Sequence, residues 1–100
     1  MIVFGRAIYN ISHTNGTSDE VDTYIGTTAT DCRGSYGEDA GNVLPAGLPT
    51  VSGWFITNTA SRPFTVTAGT NTFFLNTIQF GGATTNAFYY GYIQAIFYPN

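Results

Sequence analysis

The sequence contains no lysine, and charged residues account for only 9% of its 100 residues, against roughly 25% in an average soluble domain. Its basic side chains are three well-separated arginines, Arg6, Arg33 and Arg62, and one histidine. Proteins that bind nucleic acid need a clustered basic surface, because contacts to the phosphates supply much of their affinity. Nucleic acid is therefore not an expected partner.

Cysteine and long apolar runs are scarce as well. Cys32 is the single cysteine, so no disulfide can form within the chain. No segment approaches the ~18 consecutive apolar residues that a membrane-spanning helix needs. Residues 1–6 lack the basic and apolar regions of a signal peptide. We expect no insertion into a membrane.

Residues that favour strands and tight turns supply most of the polarity: sixteen Thr, eight Asn, five Ser and twelve Gly. Short alternating segments predict strands over residues 2–12, 21–28, 50–59, 64–68, 72–80 and 86–98. Polar side chains place the 21–28 strand near a sheet edge, and residues 29–49 are predicted to form one long loop. We therefore predict a single all-β domain over residues 1–100, a jelly-roll-like antiparallel β-sandwich of six to eight strands without a substantial helix.

The last predicted strand is apolar on both faces, and no charged side chain follows Arg62. A strand with one face in water should alternate between apolar and polar residues, so we expect this one to be covered twice, by its own core and by another copy of the chain. The predicted oligomer interface consists of Phe88, Tyr90, Tyr92, Ile96 and Tyr98. Closed cyclic symmetry would cover these side chains without leaving a free edge.

Two segments of the second half carry a family resemblance. They are Phe-Thr-Val-Thr-Ala-Gly-Thr-Asn-Thr-Phe-Phe-Leu at 64–75 and Tyr-Gly-Tyr-Ile-Gln-Ala-Ile-Phe-Tyr-Pro at 90–99. Residues 62–100 resemble the closing strands of compact jelly-roll domains of the tumour necrosis factor and complement-type superfamily, and of terminal domains of bacterial and phage surface fibres. The resemblance implies a three-fold trimer with aromatic and aliphatic side chains along its axis, and it brings no catalytic motif.

The acidic residues all lie between Asp19 and Asp39. Asp19, Asp22, Asp31 and Asp39 are candidate Ca²⁺ ligands, because that ion prefers carboxylate oxygens, although their spacing does not fit an EF-hand loop. The alternative interpretation is that they are solvated loop acids that keep a nearly uncharged protein in solution.

Aromatic residues suggest a second kind of site. Trp54, Tyr36, Tyr89 and Tyr90 could stack on a sugar ring while neighbouring hydroxyl and amide groups bond its hydroxyls. Aromatic residues on strands more often belong to a core or an interface. A monomeric carbohydrate-binding module is therefore the alternative to a self-associating one.

Catalysis has little support in the sequence. His13 is the only imidazole available as a base, it lies at a predicted turn, and we expect it to be exposed. We predict a non-enzymatic protein without an obligatory cofactor. The combined expectation is a structural and adhesive module, the trimeric head or tip of an extracellular or virion fibre, which contacts a receptor or glycan through its loops.

Overall fold

The computed structural model describes residues 1–31, 39–81 and 86–99, with the side chains of residues 80–81 and 86–89 left out. The described residues form six strands and no helix. The strands are β1 (Ile2–His13), β2 (Asp19–Gly26), β3 (Ala40–Leu44), β4 (Val51–Pro63), β5 (Phe74–Gly81) and β6 (Asn86–Ile96). The prediction of an all-β fold with at least six strands is confirmed.

Two three-stranded antiparallel sheets make up the fold. Sheet A has the order β4-β1-β6, and sheet B has the order β3-β2-β5. β1 and β2 are the central strands, and their side chains meet across the core, as in a sandwich. The face of sheet A that meets sheet B is called the inner face below, and the opposite one the outer face.

The alternation of β1 determines which side of sheet A is buried. Its odd-numbered residues from Val3 to His13 are all buried, whereas its even-numbered residues are exposed or half-buried. The sheets approach each other closely at Gly5, since a Cβ at this position would lie 2.5 Å from Cδ1 of Leu75. Ile11 and Ile25 are fully buried, and each contributes roughly 1.5–3 kcal/mol by leaving water.

A chain of buried polar side chains connects the two sheets. The Tyr9 hydroxyl donates to the Asp22 carbonyl at 3.2 Å and lies 2.6 Å from the Thr23 hydroxyl. The Asn58 amide donates to the Val21 carbonyl and to the Thr23 hydroxyl, each at 3.1 Å. The Asn58 carbonyl in turn accepts from the side chain of Asn42. One network thus joins β1, β4, β2 and β3. We call it the Tyr9–Thr23–Asn58 network.

The position of β2 differs from the prediction of an edge strand. β2 pairs with both β3 and β5, and nearly all of its residues are buried. Thr23 and Asp19 are tolerated there because they have partners inside the protein: Thr23 belongs to the network above, and Asp19 pairs with His13. The polar side chains of β2 therefore reflect hydrogen bonds to sheet A, and not a position at a sheet edge.

The predicted loop over 29–49 is wrong for its second half, which contains β3. Ala40–Leu44 pairs with Asp19–Thr23, and only the Leu44 side chain at its end is buried. So short an edge strand, with a glycine in it, has no periodicity of its own. Its conformation comes from pairing with β2.

A separate strand over 64–68 is also absent. β4 continues to Pro63, which pairs with Ile2, and Met1 and Phe64 then exchange two backbone hydrogen bonds of 2.8 and 3.1 Å. Among the described strands, none pairs with residues 65–68. The Phe64 ring packs instead on Phe73, with 4.8 Å between ring centroids.

The Tyr9–Thr23–Asn58 network predicts a specific loss of stability. Asn58→Ala should lower the free energy of unfolding by about 1–3 kcal/mol, because the Val21 carbonyl and the Thr23 hydroxyl lose their buried donor. Thr59→Ala, at the next and exposed position, should change it by less than about 0.5 kcal/mol. Urea unfolding of both variants measures the difference. Equal losses would contradict a stabilising role for the network.

Alkaline pH should act through Tyr9. Burial, as the largest influence, raises the pKa of its phenol above the ordinary value of 10.0. The unfolded chain then releases this proton first, so stability is intact below about pH 10 and falls as the pH rises towards the higher folded pKa. Tyr9→Phe should be less stable at neutral pH, from the lost hydroxyl, but should show a shallower alkaline decline. An unchanged decline in urea titrations at pH 9–11 would contradict this.

Candidate functional site

The strand β6 forms one edge of sheet A, and among the described strands it pairs only with β1. Charged residues and proline usually protect an edge strand from pairing with another chain. β6 contains neither. Its register shifts opposite Ile8 and Tyr9 and is regular from Tyr90 to Ile96. The backbone edge of this regular part is open to a further strand.

On the outer face, β6 carries exposed aromatic and aliphatic side chains. Tyr90 is 56% exposed, Tyr92 46% and Ile96 39%. They pair with Ile8, Arg6 and Ile2 of β1, which places all of them on the side away from sheet B. The core of the chain therefore does not cover them.

The inner side of β6 is also exposed, which is unexpected for that face. Ile93 pairs with the buried Gly5 and so faces the interior, yet 41% of it is exposed. Ala95 pairs with the fully buried Val3 and is exposed as well. β5 of sheet B contacts β6 but leaves Ile93 and Ala95 exposed. The sandwich is therefore partly open along the inner side of β6. We use the name open flank for Ile93, Ala95 and the adjacent backbone edge of Tyr90–Ile96.

The five predicted interface residues do not all share one described surface. Tyr90, Tyr92 and Ile96 lie on the outer face of β6. Tyr98 follows the end of the strand and is 57% exposed. The side chain of Phe88 lies outside the described residues. The sequence predicted two apolar faces on this strand, but the chain's own core covers the inner one only in part.

Among the residues that the structure describes, the outer face of sheet A carries a single charge. Its described members are Ile2, Phe4, Arg6, Ile8 and Asn10 of β1, Phe55, Thr57, Thr59, Ser61 and Pro63 of β4, and Tyr90, Tyr92, Gln94 and Ile96 of β6. Arg6 is exposed and stands in the middle of the central strand, between Thr59 and Tyr92. Its guanidinium forms no hydrogen bond or ion pair with a described residue. This face therefore combines aromatic rings, hydroxyls and one guanidinium.

The predicted aromatic platform is not assembled as expected. Trp54 is 36% exposed and pairs with Ile11 on the inner side of β4, whereas Tyr90 lies on the outer side of β6. β4 and β6 are opposite edges of sheet A, so these two rings do not form one surface. Tyr36 and the side chain of Tyr89 lie outside the described residues.

The four candidate calcium ligands are spread along β2. The Asp19 carboxylate contacts His13 at the beginning of this strand, and the Asp39 carboxylate accepts a 2.6 Å hydrogen bond from the Ile25 amide near its end. Positions 19 and 25 are about 20 Å apart at the usual strand rise. Asp22 is buried between them, and Asp31 lies beside Gly26. Among residues 1–31, 39–81 and 86–99, no three His, Cys or acidic side chains form a group that could hold a metal ion.

His13 is buried, which corrects the prediction of an exposed turn residue. Its Nδ1 lies 2.8 Å from Oδ2 of Asp19, and its Nε2 lies 3.2 Å from the Leu48 carbonyl oxygen. A carbonyl only accepts, so Nε2 is the donor in the second bond. Nδ1 must then donate to the Asp19 carboxylate or accept from its carboxyl group, and the pair shares a proton in either case. In the sequence, the one indication of this pair was Asp19, an acid six positions after His13.

The turn after His13 is fastened to residues 46–50. The Asn15 side chain donates to the Leu48 carbonyl at 3.0 Å, and its backbone amide donates to the Thr50 hydroxyl at 2.9 Å. Gly16, at φ +96°, donates to the Ala46 carbonyl at 2.7 Å. These bonds hold two connections together at one end of the sandwich.

Comparisons with models of known protein families, with characterised proteins and with solved structures find no match for this chain. The likeness of residues 62–100 to the tumour necrosis factor superfamily and to fibre tips stays a prediction. Within the described part of the chain, no helix is long and apolar enough to cross a membrane.

The His13–Asp19 pair gives a testable prediction. His13→Ala should cost about 3 kcal/mol or more of unfolding free energy, because a buried carboxylate loses its imidazole partner. It should also speed hydrogen exchange in residues 46–50. The double variant His13→Ala/Asp19→Ala should be more stable than the sum of the single losses predicts. Strictly additive losses in urea unfolding would contradict a coupled pair.

Proposed function

We propose that this chain is a structural module that self-associates through β6, as part of the head or tip of an extracellular or virion fibre. The observation that carries the proposal is the exposure of β6 on both of its sides, with Tyr90 at 56%, Tyr92 at 46% and Ile93 at 41%. A soluble monomer rarely leaves a contiguous apolar strand in water, and such surfaces usually mark interaction sites. A second copy of the chain is the partner that supplies a matching uncharged strand.

The open flank is the part of β6 that we assign to the contact. Ile93 and Ala95 face the interior there, and the free edge of Tyr90–Ile96 lies beside them. A partner strand at this edge would satisfy the free backbone groups and complete the core over Ile93. Closed cyclic symmetry would leave no sticky edge, and the resemblance of residues 62–100 favours three copies.

Ile93→Asp should separate the subunits. A carboxylate at the contact would have to leave water without a partner, which costs at least about 2 kcal/mol per contact, roughly thirtyfold in the association constant. Val43→Asp is the matched control, because Val43 is 57% exposed and lies on β3, away from β6. Light scattering after size-exclusion chromatography should show an oligomer for wild type and Val43→Asp, and a monomer for Ile93→Asp. Circular dichroism checks that each variant is folded.

A monomeric wild type at micromolar concentration would refute self-association. If Tyr92→Asp separates the subunits and a folded Ile93→Asp does not, the contact lies on the outer face instead. The same light-scattering measurements therefore test both the assembly and its location.

A further inference from the structure

The outer face of sheet A offers an arrangement that self-association through the open flank does not use. Tyr90 and Tyr92 stand two residues apart on β6, on the same side and about 6.6 Å from each other along the strand. Both are about half exposed. Tyrosines presented in this way have a ring face for stacking and a hydroxyl for hydrogen bonding.

Hydroxyl groups line the opposite edge of the same face. Thr57, Thr59 and Ser61 of β4 are all exposed there. Thr57 and Tyr90 flank Ile8, and Thr59 and Tyr92 flank Arg6. These two cross-strand rows therefore have a hydroxyl at one end and an aromatic ring at the other. A flat, elongated ligand with an apolar face and many hydroxyls fits such rows.

The positive charge of Arg6 favours a ligand that carries a negative charge. It is the one charged side chain among the described members of the outer face, it is exposed, and it pairs with no described acid. Asp19, Glu20 and Asp22 lie on β2 in the other sheet. A guanidinium binds a carboxylate through two parallel hydrogen bonds, and this geometry suits an incoming acid group.

We propose that the outer face of sheet A binds a carboxylate-bearing oligosaccharide, with Arg6 holding the carboxylate. Tyr92 and Tyr90 stack on the sugar rings, and Thr57 and Thr59 bond their hydroxyls. This role goes beyond self-association and uses a different side of β6, so either proposal can fail without the other.

Isothermal titration with tetragalacturonate and with sialyllactose tests the two common sources of a sugar carboxylate, and maltotetraose is the neutral control. Wild type should bind at least one acidic probe ten or more times more tightly than maltotetraose. Arg6→Gln should bind the acidic probe about tenfold more weakly than wild type does. Tyr92→Ala should weaken the binding of acidic and neutral sugars alike. Arg62→Gln removes the same charge from the inner side of β4 and should bind as wild type does.

The proposal is overturned if neither acidic probe binds, or if a folded Arg6→Gln keeps the wild-type affinity. Equal binding of poly-glutamate would replace the sugar by an acidic peptide and also overturn it. Light scattering is run on the same samples. If Arg6→Gln and Tyr92→Ala dissociate the oligomer, the outer face is a subunit contact and not a sugar site, whereas unchanged assembly with lost binding supports the proposal.

Discussion

The Tyr9–Thr23–Asn58 network fixes how the two sheets of this protein meet. Apolar contacts between two flat sheets tolerate small shifts, because the hydrophobic effect has no direction. Hydrogen bonds of 2.6–3.2 Å between buried groups do not tolerate such shifts, since each misplaced donor or acceptor would stay unsatisfied. One tyrosine and one asparagine of sheet A thus set the register of sheet A against β2.

This register also decides what remains outside. With β1 over β2, sheet B covers the centre of sheet A, and β5 contacts β6 without enclosing its inner side. Ile93 then faces the interior without being enclosed, and Tyr92 faces water on the other side. Within the described residues, the aromatic segment Tyr90–Ile96 is therefore a partly exposed edge of the fold. We connect its two sides with two separate roles, assembly at the open flank and ligand binding on the outer face.

Charge is distributed in a way that keeps these roles apart. The acids Asp19, Glu20 and Asp22 belong to sheet B, and the edge at Tyr90–Ile96 has no charge to repel a second copy. Arg6 stands alone on the outer face, where burial against an apolar partner would be costly. An uncharged flank and a face with one guanidinium favour different occupants, a copy of the chain and a small acidic ligand.

Composition and alternation by themselves determined the all-β class, most strand positions and the apolar nature of the last strand, because a period of two residues is a local property. Only the tertiary structure decided which strands pair. β2 is central despite its polar residues because Thr23 finds partners in sheet A, and β3 exists because β2 lies beside it. Residues 65–68 form no strand because no described strand pairs with them. His13 is buried for the same reason: its partners, Asp19 and the Leu48 carbonyl, are brought to it by the fold.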